Sequence, residues 1–170
     1  MLQQSIAITG HTSGIGLALT KQCKNWIGFS RSNGFDINNP KPIVREVSSC
    51  NVFINNAHDK FAQVDLLYTL WSEWKEEHKQ IVCISSLSPD VTKNRMWPYS
   101  TEKKALDHVC EQLQNSNENC RITNIKLGWV NTLRVERFPA KHKMDPDYIA
   151  KVILWCIQQP EYVRTLRLGP

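Results

Sequence analysis

The 170 residues are 41% hydrophobic and 22% charged, the balance of a soluble globular chain that can bury a core, expected as one domain over residues 1–170. No apolar run approaches the roughly 18 residues that cross a bilayer, and the net charge of +5 is spread along the chain, so neither a membrane nor a nucleic acid is an expected partner. The six cysteines form no C-x-x-C pair and no zinc spacing, and the N-terminus has no basic region followed by a long apolar one. Reduced thiols, no metal and a cytoplasmic location are therefore expected.

Short apolar runs alternate with helical periodicity, which predicts an α/β architecture on a mostly parallel sheet. Residues 5–9 (SIAIT) read as a central strand, followed by a helix over about 15–24 and a second strand over 26–30 (WIGFS). Residues 35–37 suggest a fragment of a third strand, ending at the turn signal Asn38-Asn39-Pro40. Residues 51–54 (NVFI) and 80–85 (QIVCIS) are buried strands, separated by a helix over 61–77 with Val64, Leu67, Tyr68, Trp71 and Trp74 at helical spacing. A helix over 99–113 repeats its apolar side chains at i, i+3 and i+4, and a strand over 121–127 follows. Asp145 and Pro146 form an N-cap and N1 pair for a last helix to 159, and residues 163–168 suggest a final strand.

Between the first strand and the first helix lies Thr9-Gly10-His11-Thr12-Ser13-Gly14-Ile15-Gly16. Glycines suit such a turn: Gly10 for the exit from the strand, Gly14 for backbone approach to a pyrophosphate, Gly16 for close helix packing. The helix N-terminus supplies free N–H groups for the anion. The second strand ends in Ser30-Arg31-Ser32 rather than in an acid. An acid there would grip a ribose 2′-OH, whereas a guanidinium with hydroxyls suits a 2′-phosphate, so NADP(H) is expected, with NAD(H) as the alternative.

Tyr99 and Lys103 stand at i and i+4 on one helix face. A nearby ammonium would stabilise the phenolate and pull the tyrosine pKa down from about 10 towards the range for proton transfer. Y-x-x-x-K alone is common in a lysine-rich chain. Ser86, at the end of the preceding strand, gives the pair its meaning, because a hydroxyl there can hydrogen-bond the oxygen that Tyr99 protonates.

Along nearly its whole length the chain resembles the short-chain dehydrogenase/reductase family. Thr9-Gly10-x-x-x-Gly14-Ile15-Gly16 is similar to its cofactor turn, and Asn55-Asn56-Ala57 to its N-N-A-G element. Ile84-Ser85-Ser86 with Tyr99-x-x-x-Lys103 is similar to its catalytic set, and Gly128-Trp129-Val130-Asn131-Thr132 to its P-G-x-x-x-T element. The resemblance implies a three-layer, doubly wound Rossmann fold that reduces a small carbonyl compound, or oxidises the alcohol, as a homodimer or homotetramer. Tyr99 would give the proton, Ser86 would orient the oxygen, and Lys103 would hold the nicotinamide ribose and tune Tyr99. Cofactor contacts would fall to Gly10, Ser13, Gly14, Ile15, Gly16, Ser30, Arg31, Ser32, Asp36 (at the adenine), Ile37, Asn56, Ala57, Lys103, Val130 and Thr132. The alternatives are a non-catalytic NADP-binding scaffold and a nucleotide-sugar epimerase-like enzyme.

Four features depart from the family pattern. His58 replaces a glycine after Asn55-Asn56-Ala57, and Leu127 replaces a proline before Gly128. Too few residues separate the second strand from Asp36 for the usual helix, so the sheet should be shortened at its adenine-side edge. The helix over 61–77 has no asparagine for the family's relay, and Gln63, or else Asp59, is nearest. His11 reads as a solvated loop residue rather than a cofactor contact. His58 and Trp97 read equally as site and as packing residues, and the basic stretch 133–143 (LRVERFPAKHK) reads as a loop that hints at an open site or an acidic substrate.

Overall fold

The computed structural model describes residues 5–139 and 142–169. Six strands, β1 (Ile6–Thr9), β2 (Trp26–Phe29), β3 (Val52–Asn55), β4 (Gln80–Ser86), β5 (Arg121–Leu127) and β6 (Thr165–Leu168), form one sheet in the order β2-β1-β3-β4-β5-β6. Every pairing is parallel, so the sheet is wholly rather than mostly parallel.

The sheet is covered on both faces because its strands are apolar on both. Ile6, Ile8, Val52, Ile54, Val82, Ile84, Ile125 and Leu127 pack against α1 (Gly14–Gln22) and α5 (Pro146–Gln158). The alternate residues, among them Ala7, Phe53, Ile81, Cys83 and Ile122, pack against α2 (Pro40–Glu46), α3 (Ala62–Trp74) and α4 (Pro98–Gln114). Parity along each strand thus decides which helical layer it feeds. This is the expected three-layer, doubly wound α/β arrangement.

Residues 35–37 are not a strand. Asn38 donates its backbone N–H and its side-chain amide to the Asp36 carboxylate at 2.9 Å each, and Phe35 packs edge-on against Phe29 with centroids 4.9 Å apart. The signal read as a turn starts a helix instead: Pro40 opens α2, where no N–H donor is needed, and Ile43 and Val44 bury themselves in the core. The second strand is consequently the sheet edge, and Trp26 and Ile27 stay exposed on it. The shortened edge expected from sequence is present.

Gly16 shows the tightest backbone approach. A Cβ there would fall on the carbonyl oxygen of Gly10, far inside van der Waals contact. Gly16→Ala should therefore push α1 off the turn and cost about 1–3 kcal/mol. Differential scanning calorimetry should show Tm lower by roughly 3–10 °C, and an unchanged Tm would show that the turn gives way freely.

Candidate active site

The C-terminal ends of β1, β3, β4 and β5 open on one cleft of about 1050 Å³. It lies where the chain, having laid β2 on one side of β1, turns back to lay β3 on the other. Ligands of open α/β sheets bind at such switch points.

At one end the cleft suits anions. Gly10 and Gly14 have φ of 70° and 52°, in the left-handed region that favours glycine. A Cβ on Gly14 would stand 3.1 Å from the methyl of Thr132, which closes the turn from the opposite lip. Ser13 precedes α1 without capping it by its side chain, which leaves first-turn N–H groups free for a ligand. Further along, Arg31 is exposed and pairs with no carboxylate among the described residues. Asp36 is held below the usual carboxylate range by the hydrogen bonds from Asn38, with Arg31 adding to the effect.

The floor is built by four amide and hydroxyl side chains. The Thr9 hydroxyl donates to Ile54 O at 3.3 Å and accepts the N–H groups of Asn56 and Ala57 at 3.0 Å each. Asn56 returns its amide to Thr9 O at 3.0 Å. Asn55 donates to Gln63 O at 2.9 Å, while the Gln63 amide donates to Asn55 O at 2.7 Å and to Ile84 O at 3.2 Å. Lys103 completes the set by donating to Gln63 Oε1 at 2.7 Å and Ile84 O at 2.8 Å. Gln63 therefore occupies the ground at which sequence left Gln63 or Asp59 open, and Asp59 is elsewhere, 2.9 Å from the Asn38 amide.

Lys103 is 3% exposed and pairs with no carboxylate among the described residues. Burial is the main reason that its pKa falls to about 7, with the Arg134 guanidinium adding to the drop. Its Nζ stands 5.8 Å from the Tyr99 ring centroid. Tyr99 is raised above its ordinary value, again by burial, and the Ser86 hydroxyl beside it offsets part of that rise. This corrects the expectation that the lysine would lower the tyrosine: a dry site with few opposite charges favours the neutral form of both groups. A neutral phenol is also the form that can give a proton. Ser86 accepts the Ser88 N–H at 3.0 Å, which fixes its oxygen at the mouth of β4.

His58, in place of glycine, packs edge-on against Tyr99 with centroids 5.0 Å apart. Its Nε2 lies 2.9 Å from Glu102, but the contact is off the N–H direction, leaving that nitrogen without a hydrogen bond. Burial, then the charges of Lys103 and Arg134, push His58 down to about 3, so the imidazole is neutral.

All the proposed catalytic and cofactor residues except Gly16 line this cleft; Gly16 lies beneath Gly10 and shapes it from behind. His58 and Trp97 line it too, whereas the His11 ring sits against Gly28 and 5.8 Å from Trp26, outside the lining. Sequence reasoning missed Asp107, which no local motif marks. It is 2% exposed and accepts from Ser85 at 2.6 Å and Asn124 at 2.9 Å, with Lys126 2.9 Å away. Lys126 also pairs with Asp90 at 2.8 Å, so the pair ties α4 and β5 to the 3-10 turn beyond Ser86.

The architecture matches solved structures of short-chain dehydrogenases. One from Burkholderia cenocepacia, in complex with NADP, superposes with a TM-score of 0.83 at 17% identity, over 99% of this chain and 89% of that one. A small-chain dehydrogenase in complex with NADPH gives 0.79 at 17% identity, over 98% and 97%. An alcohol dehydrogenase from the archaeon Thermococcus sibiricus, complexed with 5-hydroxy-NADP, gives 0.75 at 16% identity, over 96% and 95%. No family model and no curated protein matches the chain. The chain thus has the short-chain dehydrogenase/reductase fold.

The buried lysine makes stability depend on pH. Between pH 7 and about 10.5 the unfolded chain binds a proton at Lys103 that the folded one does not, so stability rises with pH across that window. Below pH 7 both states hold the proton and the burial penalty is constant. Urea unfolding of Lys103→Met and wild type should show the variant's advantage greatest at and below pH 7. It should shrink by roughly 1 kcal/mol per pH unit above that, and a pH-independent difference would contradict the lowered pKa.

Proposed function

We propose that the protein is an NADPH-dependent reductase of small carbonyl compounds, with Tyr99 as proton donor. The observation that carries this reading is the convergence of Ser86, Tyr99 and Lys103 on a cleft whose other end offers glycine turns and Arg31 to phosphates. The similar structures in complex with NADP and NADPH support the choice of cofactor. When bound, the dinucleotide supplies the two-electron redox chemistry.

This chain's residues would do the rest. Gly10, Ser13, Gly14, Ile15 and the start of α1 would hold the pyrophosphate, with Thr132 and Val130 on the opposite lip. Ser30, Arg31 and Ser32 would take the 2′-phosphate, and Asp36 and Ile37 the adenine. Asn56, Ala57 and Lys103 would line the ribose and nicotinamide end. Ser86, whose oxygen accepts the Ser88 N–H, would turn its hydroxyl hydrogen from Tyr99 to the substrate oxygen. Tyr99 would pass its proton to the same oxygen, and Lys103, poised near neutrality, would stabilise the phenolate and help to restore the proton. Gln63 acts through Lys103, whose ammonium it positions.

Two measurements test the assignment. Arg31→Ala should weaken NADPH binding by about 10- to 100-fold, the worth of a hydrogen bond to a charged group, and leave NADH binding nearly unchanged in a fluorescence titration. Equal loss for both cofactors would remove Arg31 from the 2′-phosphate. Tyr99→Phe should keep NADPH affinity and lose about 10²- to 10⁴-fold in turnover across a panel of ketones and aldehydes; turnover that survives would sink the mechanism.

A further inference from the structure

We infer that the substrate is an oxo acid, its carboxylate held by Arg134 while its carbonyl faces Tyr99 and Ser86. The inference rests on the reductase reading for the carbonyl half only. The carboxylate half stands on the charge distribution of the cleft.

The two carboxylates that line the cleft, Asp36 and Asp59, are joined through one Asn38 amide, at 2.9 Å from each. Besides these and Arg31 the charged lining residues are the cations Lys93, Lys103, Arg134 and Arg137; Glu102, outside the lining, lies 2.9 Å from the His58 imidazole. Three of these cations are already committed. Lys103 donates to Gln63 and Ile84, Lys93 lies 3.4 Å above the Trp97 ring, and Arg137 stacks on Phe138 at 5.4 Å.

Arg134 differs. It has five N–H donors in a planar fork, and its one hydrogen bond among the described residues is the 3.3 Å contact to Nδ1 of His58. It pairs with no carboxylate there. Because His58 is neutral, Nδ1 can accept that bond and aim the guanidinium into the cleft instead of repelling it. The same imidazole leans on Tyr99 at 5.0 Å. An anion on Arg134 would thus be separated from the proton donor by about the width of one imidazole. A molecule with a carboxylate a few bonds from its carbonyl spans that interval, and bidentate pairing with a carboxylate is the geometry a guanidinium offers.

Matched pairs of probes test this: levulinate with methyl levulinate, and benzoylformate with methyl benzoylformate, which differ chiefly in the charge. Binding to the protein, alone and loaded with NADPH, would be measured by calorimetry, and kcat/KM by NADPH consumption. Wild type should favour at least one acid over its ester about tenfold or more, and Arg134→Gln should bring that ratio close to one. Arg95→Gln, a change on the same rim at a residue 4.6 Å over Trp97, should leave the ratio as it was.

Equal binding of acid and ester by the wild type, or no binding of any probe, would overturn the inference. So would a preference that survives Arg134→Gln, or an Arg134→Gln effect that falls on NADPH affinity instead. Failure of the reductase reading looks different: no carbonyl would be turned over, while Arg134-dependent binding of the acids would still decide the question of the carboxylate.

Discussion

Much of the site hangs on one buried amide. The Gln63 side chain joins the carbonyl ends of β3 and β4 and at the same time accepts the Lys103 ammonium. Without it, the lysine would have one carbonyl for a partner in a place almost closed to water. An unpaired ammonium there would neutralise or leave. With it, the ammonium has two oxygen acceptors, while burial brings its pKa down to about 7. The floor is thus held by amide dipoles rather than by charges, and its side chains are set before any ligand arrives.

A second layer of support is ionic. Asp107, Lys126 and Asp90 run from α4 across β5 to the 3-10 turn beyond β4, and Arg167 on β6 adds a 2.8 Å contact to Asp90. Burial opposes the charge on Lys126, but its hydrogen bonds to both aspartates win and raise its pKa. Ser85, adjacent to Ser86, donates into the same network at 2.6 Å. The end of β4 that presents Ser86 is therefore anchored on the face of the sheet that α4 covers.

The strands and helices were legible because their periodicities are clean: alternate residues of β1, β3, β4 and β5 divide between two helical layers. Residues 35–37 misled because Asn38-Asn39-Pro40 satisfies a turn and a helix start equally, and only the burial of Ile43 and Val44 decides between them. Ser86, Tyr99, Lys103 and the glycine turn were legible from spacing along the chain. The pKa balance was not, since it depends on how dry the closed site is, and the tyrosine moved opposite to the expectation from its lysine neighbour. Asp107 and the His58–Arg134 contact join residues distant in sequence, and no local pattern encodes such meetings.

The turn that follows β2 is already folded on itself. Asn33 Oδ1 accepts the Ser30 N–H at 2.8 Å, its amide donates to Gly28 O at 2.8 Å, and the hydroxyls of Ser30 and Ser32 lie 2.7 Å apart. A phosphate arriving there would find its frame preorganised, with only the Arg31 side chain left to lose its rotamer freedom, roughly 2 kcal/mol. Here the chain passes from the edge strand β2 to α2 with no further strand between them. It leaves a rigid corner whose entropy of ordering was spent in folding, before any ligand is met.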